Sequence, residues 1–104
     1  MSLPPLQGLR VLDMARVLAC PFSAMILAEL GAEVIKLEQP GSGDESRSYE
    51  PVAERHGQRD SAYFFACNRG KRSVTVNLRH RDGQALVRDL LRPCDAVEET
   101  VPTG

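Results

Sequence analysis

Leu9-Arg-Val-Leu-Asp13, Pro21-Phe-Ser-Ala-Met-Ile-Leu-Ala-Glu-Leu30 and Glu33-Val-Ile-Lys-Leu-Glu38 follow one another near the start of the chain and read as strand, helix and strand. The first is a short β-rich run after Gly8. The second opens on a proline, which suits the first helical position because its missing N–H has no partner to lose there. Phe22, Met25, Ile26 and Leu30 recur at helical spacing, Ala24, Leu27 and Ala28 fill much of the remaining surface, and Glu29 is the helix's only charge. A helix so apolar is expected to pack on a sheet. Gly31 supplies a stop. This order and spacing make a βαβ unit, with parallel strands and a right-handed connection.

Outward from that unit, Gln39 to Asp60 is a long polar stretch containing Pro40, Gly41, Gly43 and Gly57. A loop of that length in a compact domain is expected to be functional or mobile. Ser61 to Asn68, with Tyr63, Phe64 and Phe65, fits a short helix that packs the loop down. Ser73-Val-Thr-Val-Asn-Leu78 alternates strictly and predicts a third strand with Val74, Val76 and Leu78 on one face. Asp82 can cap the next helix, whose buried stripe is Leu86, Val87, Leu90 and Leu91. Pro93 ends that helix, and Asp95 to Val97 begins a fourth strand. The fold class is α/β. A parallel sheet needs both faces covered, so the expectation is a fragment of a larger domain, or a partner that supplies the missing layer.

Composition narrows the function classes. The chain has 104 residues, 42% hydrophobic and 26% charged, with a formal net charge of -1. Disorder along the whole length is not expected, and whole-chain attraction to nucleic acid or an anionic membrane is not implied. Cys20, Cys67 and Cys94 form no CxxC or Cys/His spacing, and His56 and His80 are the only histidines. That set fits a reducing compartment and no zinc site. No apolar run reaches the ~18 residues of a membrane span, and Met1 to Arg10 lacks a secretory profile. The expected compartment is the cytoplasm, with an organelle such as the mitochondrion as the other option.

Charge is distributed unevenly. Glu29 to Asp60 holds eight acids and four bases, whereas Arg69 to Arg81 holds five bases and no acid. The basic run reads either as a solvated face or as an anion site. In open α/β sheets ligands bind beyond the carboxyl ends of the strands. Asp13 to Cys20, Gln39 onward, and Arg79 to Arg81 all end there. The first leads into a helix N-terminus, which suits phosphate, but it has neither GxGxxG nor GxxxxGK[ST]. Asp13 reads as a turn or capping aspartate before a catalytic one. Cys20 has no obvious base and reads as a buried bystander.

Taken in order, five segments resemble the class III coenzyme A transferases, a group that includes formyl-CoA transferase, succinate–hydroxymethylglutarate CoA-transferase and the α-methylacyl-CoA racemases. The segments are Leu6-Gln-Gly-Leu-Arg-Val-Leu-Asp13, Arg16-Val-Leu-Ala-Cys-Pro21, Leu30-Gly-Ala-Glu-Val-Ile-Lys-Leu-Glu38, Pro40-Gly-Ser-Gly-Asp44 and Asn68-Arg-Gly-Lys-Arg-Ser-Val-Thr-Val-Asn-Leu78. The resemblance implies a Rossmann-like parallel sheet with flanking helices, of which residues 1–104 are the N-terminal part, and an interlocked homodimer of longer chains. It implies a coenzyme A site held by Val17, Leu18 and Ala19, by Gln39, and by Val76, Asn77, Leu78 and Arg79, with Arg79 the strongest candidate for a phosphate contact. The implied substrates are an acyl-CoA and a carboxylic acid.

In the family an aspartate attacks the acyl-CoA thioester to form a mixed anhydride. None of Asp13, Asp44, Asp60, Asp82, Asp89 or Asp95 matches its motif, so no catalytic residue and no metal ligand is assigned. Three departures stand out: Gln39 where an arginine is frequent, Cys20 where glycine usually precedes the proline, and the tail Glu99-Thr-Val-Pro-Thr-Gly104 in place of the family's pattern. The other readings are an acyl-CoA racemase, a non-catalytic coenzyme-binding or interaction module, and an unrelated flavodoxin-like or regulatory α/β domain.

Overall fold

The computed structural model describes residues 3–15 and 19–99. Four strands form one parallel sheet: β1 (Arg10–Asp13), β2 (Glu33–Glu38), β5 (Arg72–Thr75) and β6 (Ala96–Glu98). Their spatial order is β5-β2-β1-β6, with Leu12 level with Ile35 and Val97, and Leu37 level with Val74. This is the 3-2-1-4 order of a Rossmann sheet. A two-stranded antiparallel hairpin, β3 (Val52–Arg55) with β4 (Gln58–Ser61), stands apart from it.

The helices are α1 (Ala19–Glu29), α2 (Ala62–Asn68) and α3 (Arg81–Leu91). Period-two alternation along the strands sends Val11 and Val34 to one face, where they pack with Ala24 of α1 and with Ala32. It sends Leu12 and Leu37 to the other, where they meet Val76 and Val87 of α3. Each valine or leucine among them, taken fully out of water, contributes about 1.5–3 kcal/mol.

The parallel α/β architecture holds, and the differences from expectation have local causes. α1 begins at Ala19, so Pro21 sits inside its first turn. Phe22 and Ile26 remain about 44% and 43% exposed, so α1 buries one side rather than most of its surface. The ladder of β5 stops at Thr75 instead of running to Leu78. The Val76 N–H still bonds the Glu38 carbonyl at 3.0 Å, but β2 ends there and Pro40, with no N–H, follows. Val76 is therefore buried and Leu78 exposed. Leu86 is exposed as well, so the stripe of α3 centres on Val87 with Leu90 and Leu91 half-buried. The cap of α3 is His80, whose Nδ1 accepts the Asp82 N–H at 3.0 Å, and not Asp82.

Residues 39–60 are more ordered than a polar loop. Asp44 caps a 3-10 turn at Glu45–Ser48, accepting the Ser46 N–H and hydroxyl at 2.9 and 2.8 Å. The hairpin closes through His56 and Gly57, both at positive φ (53° and 78°), as a two-residue turn between paired strands requires. Ser61 then caps α2, accepting from the Tyr63 and Phe64 N–H groups.

Candidate functional site

An open cavity of about 690 Å³ lies beyond the carboxyl ends of the sheet. Met14 follows β1, Leu37 and Glu38 end β2, Gln39 and Pro40 follow it, Val76, Asn77, Leu78 and Arg79 follow β5, and Glu99 follows β6. Gln39 and the four residues 76–79, expected from widely separated stretches, thus share one wall. Val17 and Leu18 lie outside the described residues. Ala19 is the first residue of α1.

Local contacts fix the 76–80 turn. The Asn77 side-chain oxygen accepts the Arg79 N–H at 3.0 Å, and the Asn77 carbonyl accepts the His80 N–H at 3.2 Å. Gln84 of α3 donates to the Leu78 carbonyl at 3.0 Å. Gly83 permits the approach: a Cβ there would stand 1.9 Å from the Asn77 carbonyl oxygen. Arg79 is exposed at the cavity rim, and no carboxylate among the described residues pairs with it.

The other early bases of the run are committed elsewhere. Arg69 pairs with Glu29 at 2.5 Å and Arg72 with Glu33 at 3.3 Å, toward the amino ends of the strands. The Lys71 side chain is almost wholly out of water, donating to Asp13 Oδ2 at 2.6 Å, the Pro21 carbonyl at 2.7 Å and Asn68 Oδ1 at 2.8 Å. The basic run is therefore not one anion-binding patch. Of the five, Arg79 alone lines the cavity.

Asp13 is fully buried and its Oδ1 accepts the Ala15 N–H at 2.9 Å. Lys36, equally buried, stands 3.9 Å from Asp13 and 2.9 Å from Asp44 Oδ2. Two lysines and two aspartates thus neutralise one another and join β1, β2, the residue-44 turn and the end of α2. Burial pushes the Lys71 ammonium below its ordinary value, against the opposing pull of Asp13. Burial alone would raise the Asp44 carboxyl, but hydrogen bonds from Ser46 and the nearby Lys36 bring it down.

Glu38 is a third fixed carboxylate. It accepts from Arg47 Nε and Nη2, both at 2.7 Å, from the Asp44 N–H at 2.8 Å and from the Ser73 hydroxyl. Burial raises its carboxyl, but these donors outweigh it and hold the pKa at about 2, against an ordinary 4.5. The Arg47 guanidinium also lies 3.9 Å over the Phe64 ring.

Sequence reasoning missed Met14, Leu37, Glu38, Pro40 and Glu99 as cavity residues, and missed Gly83. Lys36 within an otherwise apolar parallel strand was the available signal for the buried network. Cys67 is buried, with its thiol pushed up by that burial, and His80 is exposed. Among the described residues, no group of three or more His, Cys, Asp and Glu could hold a metal ion, and no helix is long and apolar enough to cross a membrane.

A parallel sheet flanked by helices, with a cavity across its carboxyl ends, is an open α/β fold of the kind in which ligands bind beyond the strand ends. The chain belongs to CoA-transferase family III, whose signature matches residues 6–104. It is 47% identical over 102 residues to succinyl-CoA:glutarate CoA-transferase of Mus musculus, covering 97% of this chain and 23% of that one. It is 48% identical over 99 residues to succinate–glutarate CoA-transferase of Agrobacterium fabrum, covering 92% and 25%. A crystal structure of a CAIB/BAIF family protein from Brucella suis superimposes with a TM-score of 0.89 at 46% identity, covering 94% of this chain and 26% of that one. The chain spans about a quarter of the length of these relatives.

Proposed function

We propose that these residues are the N-terminal part of the large domain of a CoA-transferase and contribute part of its coenzyme A site. In the reaction, coenzyme A passes from an acyl-CoA donor to a carboxylic acid, with dicarboxylic acids such as succinate and glutarate as the exchanged partners. The relatives are named for that transfer, which favours it over racemisation. The observation that carries the reading is the shared cavity wall of Gln39 and Val76 to Arg79.

Coenzyme A brings several phosphate charges. Arg79, exposed at the rim and paired with no carboxylate among the described residues, can fork onto a phosphate in a bidentate contact. Leu78, exposed in the cavity wall, offers apolar surface for the uncharged parts of the coenzyme. Gln39 can donate hydrogen bonds where a charge is absent. No acid lining the cavity is assigned to covalent chemistry: Glu38 is saturated by its donors, and the attacking carboxylate is proposed to lie outside residues 1–104. An interlocked homodimer of longer chains is part of the same proposal.

The test is thermal unfolding with millimolar coenzyme A and, separately, pantetheine. Coenzyme A is expected to raise the melting temperature, because a ligand at 100 times its Kd stabilises by about 2.7 kcal/mol. Pantetheine, lacking the phosphates, is expected to do far less. No shift with coenzyme A contradicts the reading. The intact mass of the native polypeptide, expected to be several times that of these 104 residues, tests the domain assignment.

A further inference from the structure

We infer that Arg47, acting through Glu38, is a positioning residue for the coenzyme cavity, a role that rests on the proposed coenzyme A reading and deepens it. Arg47 itself is not among the cavity-lining residues. Its fork onto both Glu38 oxygens fixes that carboxylate at the carboxyl end of β2, while Phe64 of α2 covers the guanidinium from the other side. The carboxylate in turn ties the end of β2 to the 44–48 turn, through the Asp44 N–H and Arg47, and to β5, through the Ser73 hydroxyl.

The cavity wall hangs on this knot. Gly43 is wedged against it, since a Cβ there would lie 2.8 Å from Glu38 Oε1 and 3.1 Å from the Arg47 side chain. The Gly43 carbonyl accepts from Gln39 Nε2 at 3.0 Å, and Ser42 Oγ lies 3.3 Å from the same nitrogen. On the other side the Glu38 carbonyl holds Val76. Residues 39–48 thus form a braced wall, and the brace sets where Gln39 stands relative to Val76 and Arg79. Lysine cannot reproduce the two-pronged contact, because it presents a point charge and not a planar fork.

The experiment measures coenzyme A affinity by calorimetry for the full polypeptide and for Arg47→Ala, Arg47→Lys, Gln39→Ala and the Gln39/Arg47 double alanine variant. Circular dichroism confirms folding of each at the measuring temperature. Arg47→Ala is expected to weaken binding about tenfold and Arg47→Lys by less. The double variant is expected to be no weaker than Arg47→Ala alone, since a misplaced Gln39 has nothing left to lose. Arg47→Ala that unfolds more easily yet binds with unchanged Kd overturns the positioning role while leaving the coenzyme site standing, and so does full additivity of the two substitutions. If Arg47→Ala does not fold, Arg47→Lys with Gln39→Ala decides by the same criterion. An unmodified polypeptide that fails to bind coenzyme A overturns both readings together.

Discussion

At the amino ends of the strands, Arg10, Glu33 and Arg72 pair in the open: Arg10 meets Glu33 at 2.8 Å with both side chains more than a third exposed. At the carboxyl ends, Asp13, Lys36, Asp44 and Lys71 pair with their side chains almost wholly out of water. The same charges do different work in the two settings. In water an ion pair contributes about 0–1 kcal/mol, because solvent already screens each partner. Buried, each partner needs the other, since an uncompensated charge costs several kcal/mol. Arg79 belongs to neither group. It stands at the carboxyl end yet remains exposed, with no carboxylate partner among the described residues, which leaves it available to an incoming anion.

The contrast breaks most sharply at Lys71. Lys71→Met strips Asp13 of its 2.6 Å partner and is expected to cost about 3–5 kcal/mol, read by urea unfolding. A loss under 1 kcal/mol would mean that Lys36, at 3.9 Å, compensates. Gly83→Ala comes next, at about 1–3 kcal/mol, because its Cβ would collide with backbone at Asn77. The same substitution should displace the 76–80 turn and weaken coenzyme A binding.

A third effect appears only in acid. The folded-state pKa of Glu38 is depressed to about 2. Its stabilisation is therefore fully present above the ordinary 4.5 and is lost as pH falls toward 2. Between those limits the unmodified protein should lose stability more steeply than Glu38→Gln, in chemical unfolding followed against pH. Parallel curves would show that Glu38 does not titrate in this window. The smallest effect is expected at Arg69→Ala, under about 1 kcal/mol, because Arg69 and Glu29 are both largely exposed.

Much of this was legible in the residues. The βαβ unit and the parallel sheet follow from periodicity and from proline and glycine placement, whereas the grouping of Gln39 with Val76 to Arg79 came from the family resemblance. The limits are equally specific. Strand β5 was extended to Leu78 because Val74, Val76 and Leu78 alternate, yet a ladder ends where its neighbour ends, and that depends on Pro40, far away in sequence. The hairpin turn at His56-Gly57 was missed because its flanking strands, Val52–Arg55 and Gln58–Ser61, carry little apolar alternation. The basic run from Arg69 to Arg81 looked like one patch. A strand passes through it, so its members emerge at opposite ends of the sheet, and only pairing in space separates Lys71 from Arg79. Gly83 gave no signal, since a lone glycine in a helix is explained only by the chain that touches it.

On the proposed reading, Arg79 meets the coenzyme's phosphates at the carboxyl end of the sheet. The direct measurement is the Kd of coenzyme A for Arg79→Ala beside Arg72→Ala, by calorimetry at one salt concentration. A charge-assisted contact is worth about 1.5–3 kcal/mol, so Arg79→Ala is expected to weaken binding at least tenfold while Arg72→Ala leaves it unchanged. Equal affinities in the two variants, or a larger loss at Arg72, would contradict it.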